Sequence, residues 1–227
     1  MVKHKLDHTL KIKSEDLLHH VHHFDLDLES NHIYLMGVDR GYDIAGINEP
    51  GVEYMMANRF IKNINVCMRA NSNAPIVVHM KTNGGFWEEG MAIYDAIKAC
   101  PSKVVILNYT HARSMSSLIF QAADKRVMMP NSIFMFHDGT YAIEGTMKQV
   151  KSTIDFDQRT EDIMLSIYAD KMNQVGSMAT MGTPKIKKWL RGQMDKKEDV
   201  FLSAEETVDL GLADTIFDYD WSSLSKD

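Results

Sequence analysis

Only two cysteines, Cys67 and Cys100, occur among 227 residues. They lack CxxC spacing, which argues against a disulfide framework or a zinc knuckle and leaves both to be read as buried thiols. No stretch of 18 apolar residues occurs, and the opening MVKHKLDHTLKIKSEDLL has no continuous apolar core of the signal-peptide kind. The expectation is a soluble, unexported, cytoplasmic protein without a membrane partner. There is no polybasic block, and 25 basic against 31 acidic residues give a net charge of -6. That balance argues against a protein that wraps nucleic acid or an anionic membrane. Low-complexity tracts and fixed-period repeats are also missing.

What is present suits one α/β domain: 44% of the residues are hydrophobic, enough for a full core. One segment is biased, LLHHVHHFDLDL, with His19, His20, His22 and His23 packed into five positions. Nothing nearby supplies fixed metal geometry by spacing, so residues 1–23 read as a mobile or partner-contacting leader, and no metal is assigned.

Beyond the leader, HIYLMG (32–37) alternates like a strand, and RGYDIAGINEPG (40–51) carries the residues of a loop. Helical spacing runs from Val52 to Ala70. IVVHMKT (76–82) reads as a buried strand, NGG as a sharp turn and EEGMAIYDAIKAC as a helix with acids in its first turn. The alternation repeats: KVVILN a strand, THAR a loop, SMSSLIFQAAD a helix, RVMM and IFMFH strands. Such order implies crossover units and a largely parallel sheet. A long helix over about 145–172 looks able to project; PKIKKWLRGQM is a helix opening on proline, and Ser203 with Glu206 forms a capping box.

Two residues carry possible chemistry. Ser114 stands at a helix mouth, where the dipole and the unpaired N–H groups of the first turn converge, and His137 closes an apolar strand 23 residues later. A serine hydroxyl attacks only once a base takes its proton, and histidine is the usual base. The Met115 N–H could then hold an oxyanion, with Gly84 or Gly85 of the NGG turn giving a second donor. A capping serine and a packed core histidine are the plain alternatives.

Taken together and in order, the motifs resemble the proteolytic subunit of the Clp protease (ClpP). GGFWEEGMAIYDAI (84–97) is similar to its GG…AGMAIYDTM segment, ARSMSS to its ASMG serine motif, RVMMPNSIFMFHDG to its PNS…MIHQP histidine motif, and DVFLSAEETVDLGLADTI to its DRFLSA…EA…YGLVD signature. The resemblance extends from about Phe24 to Phe217. It implies a single peptidase domain over 24–227 with the ClpP/crotonase-type superhelix of repeated β-β-α units. It also implies a handle, roughly 138–175, in which a strand and the long helix join two rings. It matches Ser114 to the nucleophile, His137 to the base, Asp195 to the orienting acid six residues before the FLSA match, and Gly85 and Met115 to the oxyanion donors. Asp199, four residues on, is a nearby competitor for the acid.

The implied function is hydrolysis of unfolded polypeptides inside a homo-oligomeric chamber of two stacked heptameric rings. No metal or organic cofactor is implied; ATP would be used only by a partner AAA+ unfoldase. Several positions depart from the pattern. Asn83 replaces the proline before the glycine pair, and Met115-Ser116-Ser117-Leu118 replaces MGAF. Val77 and His79 stand where aromatic residues form the unfoldase-docking pocket, the leader lacks the axial-loop pattern, and DRGYDIAGINEPG reads as an insertion. These departures keep open a weakly catalytic structural or regulatory subunit and a specialised maturation protease, for example of viral capsids. A crotonase-type acyl-CoA enzyme is a further rival that would not need Ser114, His137 and Asp195 together.

Overall fold

The computed structural model describes residues 14–37, 51–71, 73–140 and 142–224. The first part of the leader and nearly all of the apparent insertion at 39–51 lie outside them. The His-rich part of the leader forms helix α1 (Ser14–Phe24), on which His19, His20, His22 and His23 are all exposed.

Next come β1 (Leu26–Asp27), β2 (His32–Met36), α2 (Tyr54–Ala70), β3 (Ile76–Thr82), α3 (Trp87–Lys98), β4 (Val104–Arg113) and α4 (Met115–Ala122). These are followed by β5 (Lys125–Met128), β6 (Ile133–Phe136), α5 (Met147–Gln174), α6 (Thr183–Lys197), β7 (Val200–Leu202), α7 (Ala204–Asp209) and β8 (Thr215–Ile216). A 3₁₀ turn, Trp221–Leu224, comes last. The eight strands form one sheet in the order β1-β2-β3-β4-β5-β8, with β6 on β4 and β7 on β6. Among the described residues, only β1–β2 and β6–β7 are antiparallel.

Both faces of the sheet are apolar, which is why β3 and β4 read as nearly unbroken hydrophobic runs. Alternate residues Ile76, Val78, Met80, Val104 and Ile106 enter the main core beneath the helices. Val77, Val105 and Leu107 point the other way, into a smaller core closed by Phe217 and Leu224. Every residue of α4 is buried.

The sequence assigns THAR to a loop, but those residues belong to β4. Val105–Asn108 pair with β5, whereas His111, Ala112 and Arg113 pair with Ile133, Phe134 and Met135 of β6. The new partner supplies hydrogen bonds to backbone that would otherwise be loop. This fork brings the carboxyl ends of β3, β4 and β6 to one rim, where α/β sheets place their sites.

Helix α5 has the length the sequence promises. Its second half buries Met164, Leu165, Tyr168, Ala169 and Met172, while Met147, Ile154 and Phe156 of its first half are exposed. The strand expected just before it is not formed among the described residues 138–140 and 142–146. A strand needs a ladder partner, and the described residues offer none there. Cys67 is fully buried and its thiol is pushed up to about 11, first by burial; Cys100, expected to be buried, is only half-buried.

Candidate active site

Ser114 occupies the tight passage from β4 into α4, with φ 51° and ψ -127°. A side chain in that region of backbone space costs on the order of 1–3 kcal/mol and persists only when its surroundings over-determine it. Here they do. The Ser114 N–H donates to Met135 O of β6 at 3.0 Å, and its own carbonyl accepts from Ser117 N at 3.0 Å and from Ser117 Oγ at 2.5 Å. Ser117 Oγ in turn accepts from the Tyr168 hydroxyl, 2.6 Å away on α5. Tyr168 is wholly buried, and burial raises its phenol well above the usual range, so it stays a donor.

Ser116 Oγ accepts from Arg113 N at 2.8 Å and lies within 2.8 Å of both Thr82 O and Arg113 O, tying β3 to the bend. The serines that replace the small apolar residues of the family motif are thus buried braces of the bend. Their signal in the sequence is three serines in four positions ahead of Leu118, polar groups that burial obliges to find partners.

The side chains that the sequence singled out meet as expected in one pair. His137 Nε2 is 2.8 Å from Ser114 Oγ. The other ring nitrogen does not reach Asp195: Nδ1 lies 2.9 Å from Asp199 Oδ1. The register explains the correction. Phe134, Met135 and Phe136 pair with Leu202, Phe201 and Val200, so the next step of the antiparallel ladder sets Asp199 opposite His137. Asp195 sits four residues earlier, exposed on the last turn of α6, because that helix runs on to Lys197 rather than ending near Met194. Asp199 is half exposed and His137 about one-fifth exposed, so the pair is reachable from solvent.

The glycine turn lies against the serine. Gly84 has φ +89°, and a Cβ there would fall 2.8 Å from both Ser114 Cβ and Met115 N, and 2.5 Å from Arg113 O. Only glycine permits that approach. Gly85 forms a parallel bridge with Val52, in which Gly84 O accepts from Val52 N and Phe86 N donates to Val52 O. In such a bridge the N–H of Gly85 itself points away from Val52. The backbone of residues 84–85 therefore borders the first turn of α4, where the Met115 N–H begins the helix.

On the opposite face of the sheet from the main core, His79 fills a buried aromatic cluster rather than an aromatic pocket. Its ring stacks on Tyr34 at 4.8 Å between centroids, Nδ1 lies 3.0 Å from the Tyr109 hydroxyl and Nε2 lies 3.0 Å from His32 Nδ1. Burial, with His32 as the next cause, lowers His79 to about 4. His32 is lowered too, by burial, with Asp27 opposing.

A profile of the Clp protease family matches residues 47–220. The chain belongs to the Clp protease family. Among its relatives, the ATP-dependent Clp protease proteolytic subunit 2 of Pseudomonas aeruginosa is 28% identical over 73% of this chain and 77% of its own. The ATP-dependent Clp protease proteolytic subunit 3 of Parasynechococcus marenigrum is 30% identical over 81% and 85%. A proteolytic subunit from Deinococcus radiodurans is 28% identical over 74% and 76%. This Clp protease family member thus departs widely from its relatives in sequence. Among its described residues no helix is long and apolar enough to cross a membrane, and no three His, Cys, Asp or Glu residues are grouped to hold a metal.

Proposed function

We propose that this chain is a Clp-type serine endopeptidase subunit that hydrolyses peptide bonds of unfolded polypeptides. The observation that carries the reading is the continuous contact from Asp199 through His137 to Ser114, at 2.9 and 2.8 Å. Ser114 Oγ attacks the scissile carbonyl carbon as His137 Nε2 takes its proton. The N–H groups of Gly85 and Met115 receive the resulting oxyanion. Collapse breaks the C–N bond, and His137 returns the proton to the leaving amine. Water, deprotonated by the same nitrogen, then hydrolyses the acyl-enzyme and frees Ser114. Asp199, accepting from Nδ1–H, holds the tautomer and stabilises the imidazolium; Asp195 has no part in this assignment.

In the same reading the subunits form a closed chamber of two stacked heptameric rings in the cytoplasm, fed by an AAA+ unfoldase that alone uses ATP. Helix α5 with residues 138–146 is the handle, and the exposed Ile143, Met147, Ile154 and Phe156 are the apolar surface that a second ring would cover. Fluorophosphonate labelling followed by peptide mass mapping tests the chemistry. Modification of Ser114 is expected, with loss of both labelling and peptide hydrolysis in Ser114→Ala. Undiminished hydrolysis by that variant would end the serine mechanism.

A further inference from the structure

Arg113, immediately before the proposed nucleophile, has no part in the steps above. It pairs with Met135 in the parallel β4–β6 ladder, and Met135 pairs with Phe201 in the antiparallel β6–β7 ladder. Residues paired across a ladder share a face, and every second residue along a strand returns to it. Arg113, Met135 and Phe201 therefore lie on the same face as His137 and Asp199, one same-face step back, or roughly 7 Å.

The guanidinium rests 5.6 Å from the centre of the Phe201 ring, and that ring is about half exposed. Arg113 Nε is buried without a hydrogen-bond partner, and among the described residues no carboxylate pairs with the guanidinium. Desolvating a guanidinium nitrogen and leaving it unpaired is costly, and because Arg113 as a whole is only partly buried its charge is not sealed off from an incoming anion. Contact with the Phe201 ring holds the cation without neutralising it.

We propose that Arg113 is a specificity-determining residue that receives an acidic side chain of the substrate, Asp or Glu, close to the scissile bond. A peptide laid across the rim, with its carbonyl at Ser114, passes this face. A carboxylate there meets the guanidinium fork in a partly desolvated setting, and the matching amide does not gain the charge.

This inference rests on the peptidase reading, and its test separates the two. C-terminally amidated peptide pairs differing only by Glu or Gln at each position flanking the cleaved bond are compared by kcat/KM. At one flanking position the wild-type protein should favour Glu about tenfold. The preference should shrink with added salt, fall to about one in Arg113→Met, and be partly kept in Arg113→Lys. Fluorescence anisotropy with Ser114→Ala measures the same pairs by binding alone, so that a chain without turnover still reports on the subsite. A wild-type Glu-to-Gln ratio near or below one at every position in both assays would overturn the role of Arg113, as would a preference that survives in Arg113→Met. Failure to hydrolyse any peptide, with a Glu preference retained in binding, would instead overturn the peptidase reading and leave the subsite standing.

Discussion

Acid should weaken this fold through His79. In the native state its ring is faced by His32, Tyr109, Tyr34 and Trp221, with Asp27 the acid that partly offsets the burial. The folded pKa of about 4 stands below the ordinary 6.5, so the folded chain refuses a proton that the unfolded chain accepts. The stability that His79 contributes is therefore complete above pH 6.5 and is lost as pH falls to 4. Across that interval the loss is about 3 kcal/mol from this one residue. For a chain of this size it corresponds to roughly 10 °C in melting temperature. Carboxylates also titrate at the acid end, so the comparison is with His79→Phe, which keeps an aromatic ring against Tyr34 but carries no titratable group. Thermal melts at pH 7 and pH 4, at one protein concentration, should show the wild-type protein losing about 10 °C more than the variant. Equal losses in the two proteins would refute the account of His79.

Three further outcomes concern the rim. Asp199→Asn should lower kcat/KM by orders of magnitude, about 10⁴ in the best-characterised triad, with Asp195→Asn near wild type; the reverse ranking in a peptide assay would return the acid to α6. Gly84→Ala should reduce turnover at least about 100-fold, because its Cβ must displace Met115 N or Ser114 Cβ, and misplacing reacting groups by about 1 Å costs that much; wild-type rates in that variant would remove the close approach from the mechanism. Ser114→Gly and Ser114→Ala should both be inactive, yet the glycine variant should be the more stable by about 1 kcal/mol, since glycine alone is at ease at φ 51°; a denaturant titration ranking alanine equal or higher would mean the bend holds no strain.

Much of this was readable from the chain because several key residues sit at ends of elements, where sequence signals are strongest. Ser114 precedes an apolar helix, His137 closes an apolar strand, Gly84-Gly85 mark a turn, and Ser203 with Glu206 caps α7 as the spacing predicts. What escaped depends on pairing between distant segments. The family resemblance around the FLSA match implies Asp195, but the β6–β7 register favours Asp199, and register is not written in either strand alone. THAR looks like a loop because its strand character is conferred by β6, whose paired residues come 22 positions later. His79 reads as a lost pocket residue until its bonds to Tyr109 and His32 are known. The long helix is plain, whereas no strand forms among the described residues just before it.

The contact of Asp199, just ahead of β7, with His137 closes a loop of 62 residues. A chain growing from its amino terminus gains the serine and the histidine before α5 and α6, but the acid only after both have been made. Domains take shape as units once their distant partners are available. Until those two helices have been made, each new copy lacks the aspartate that His137 meets in the folded chain.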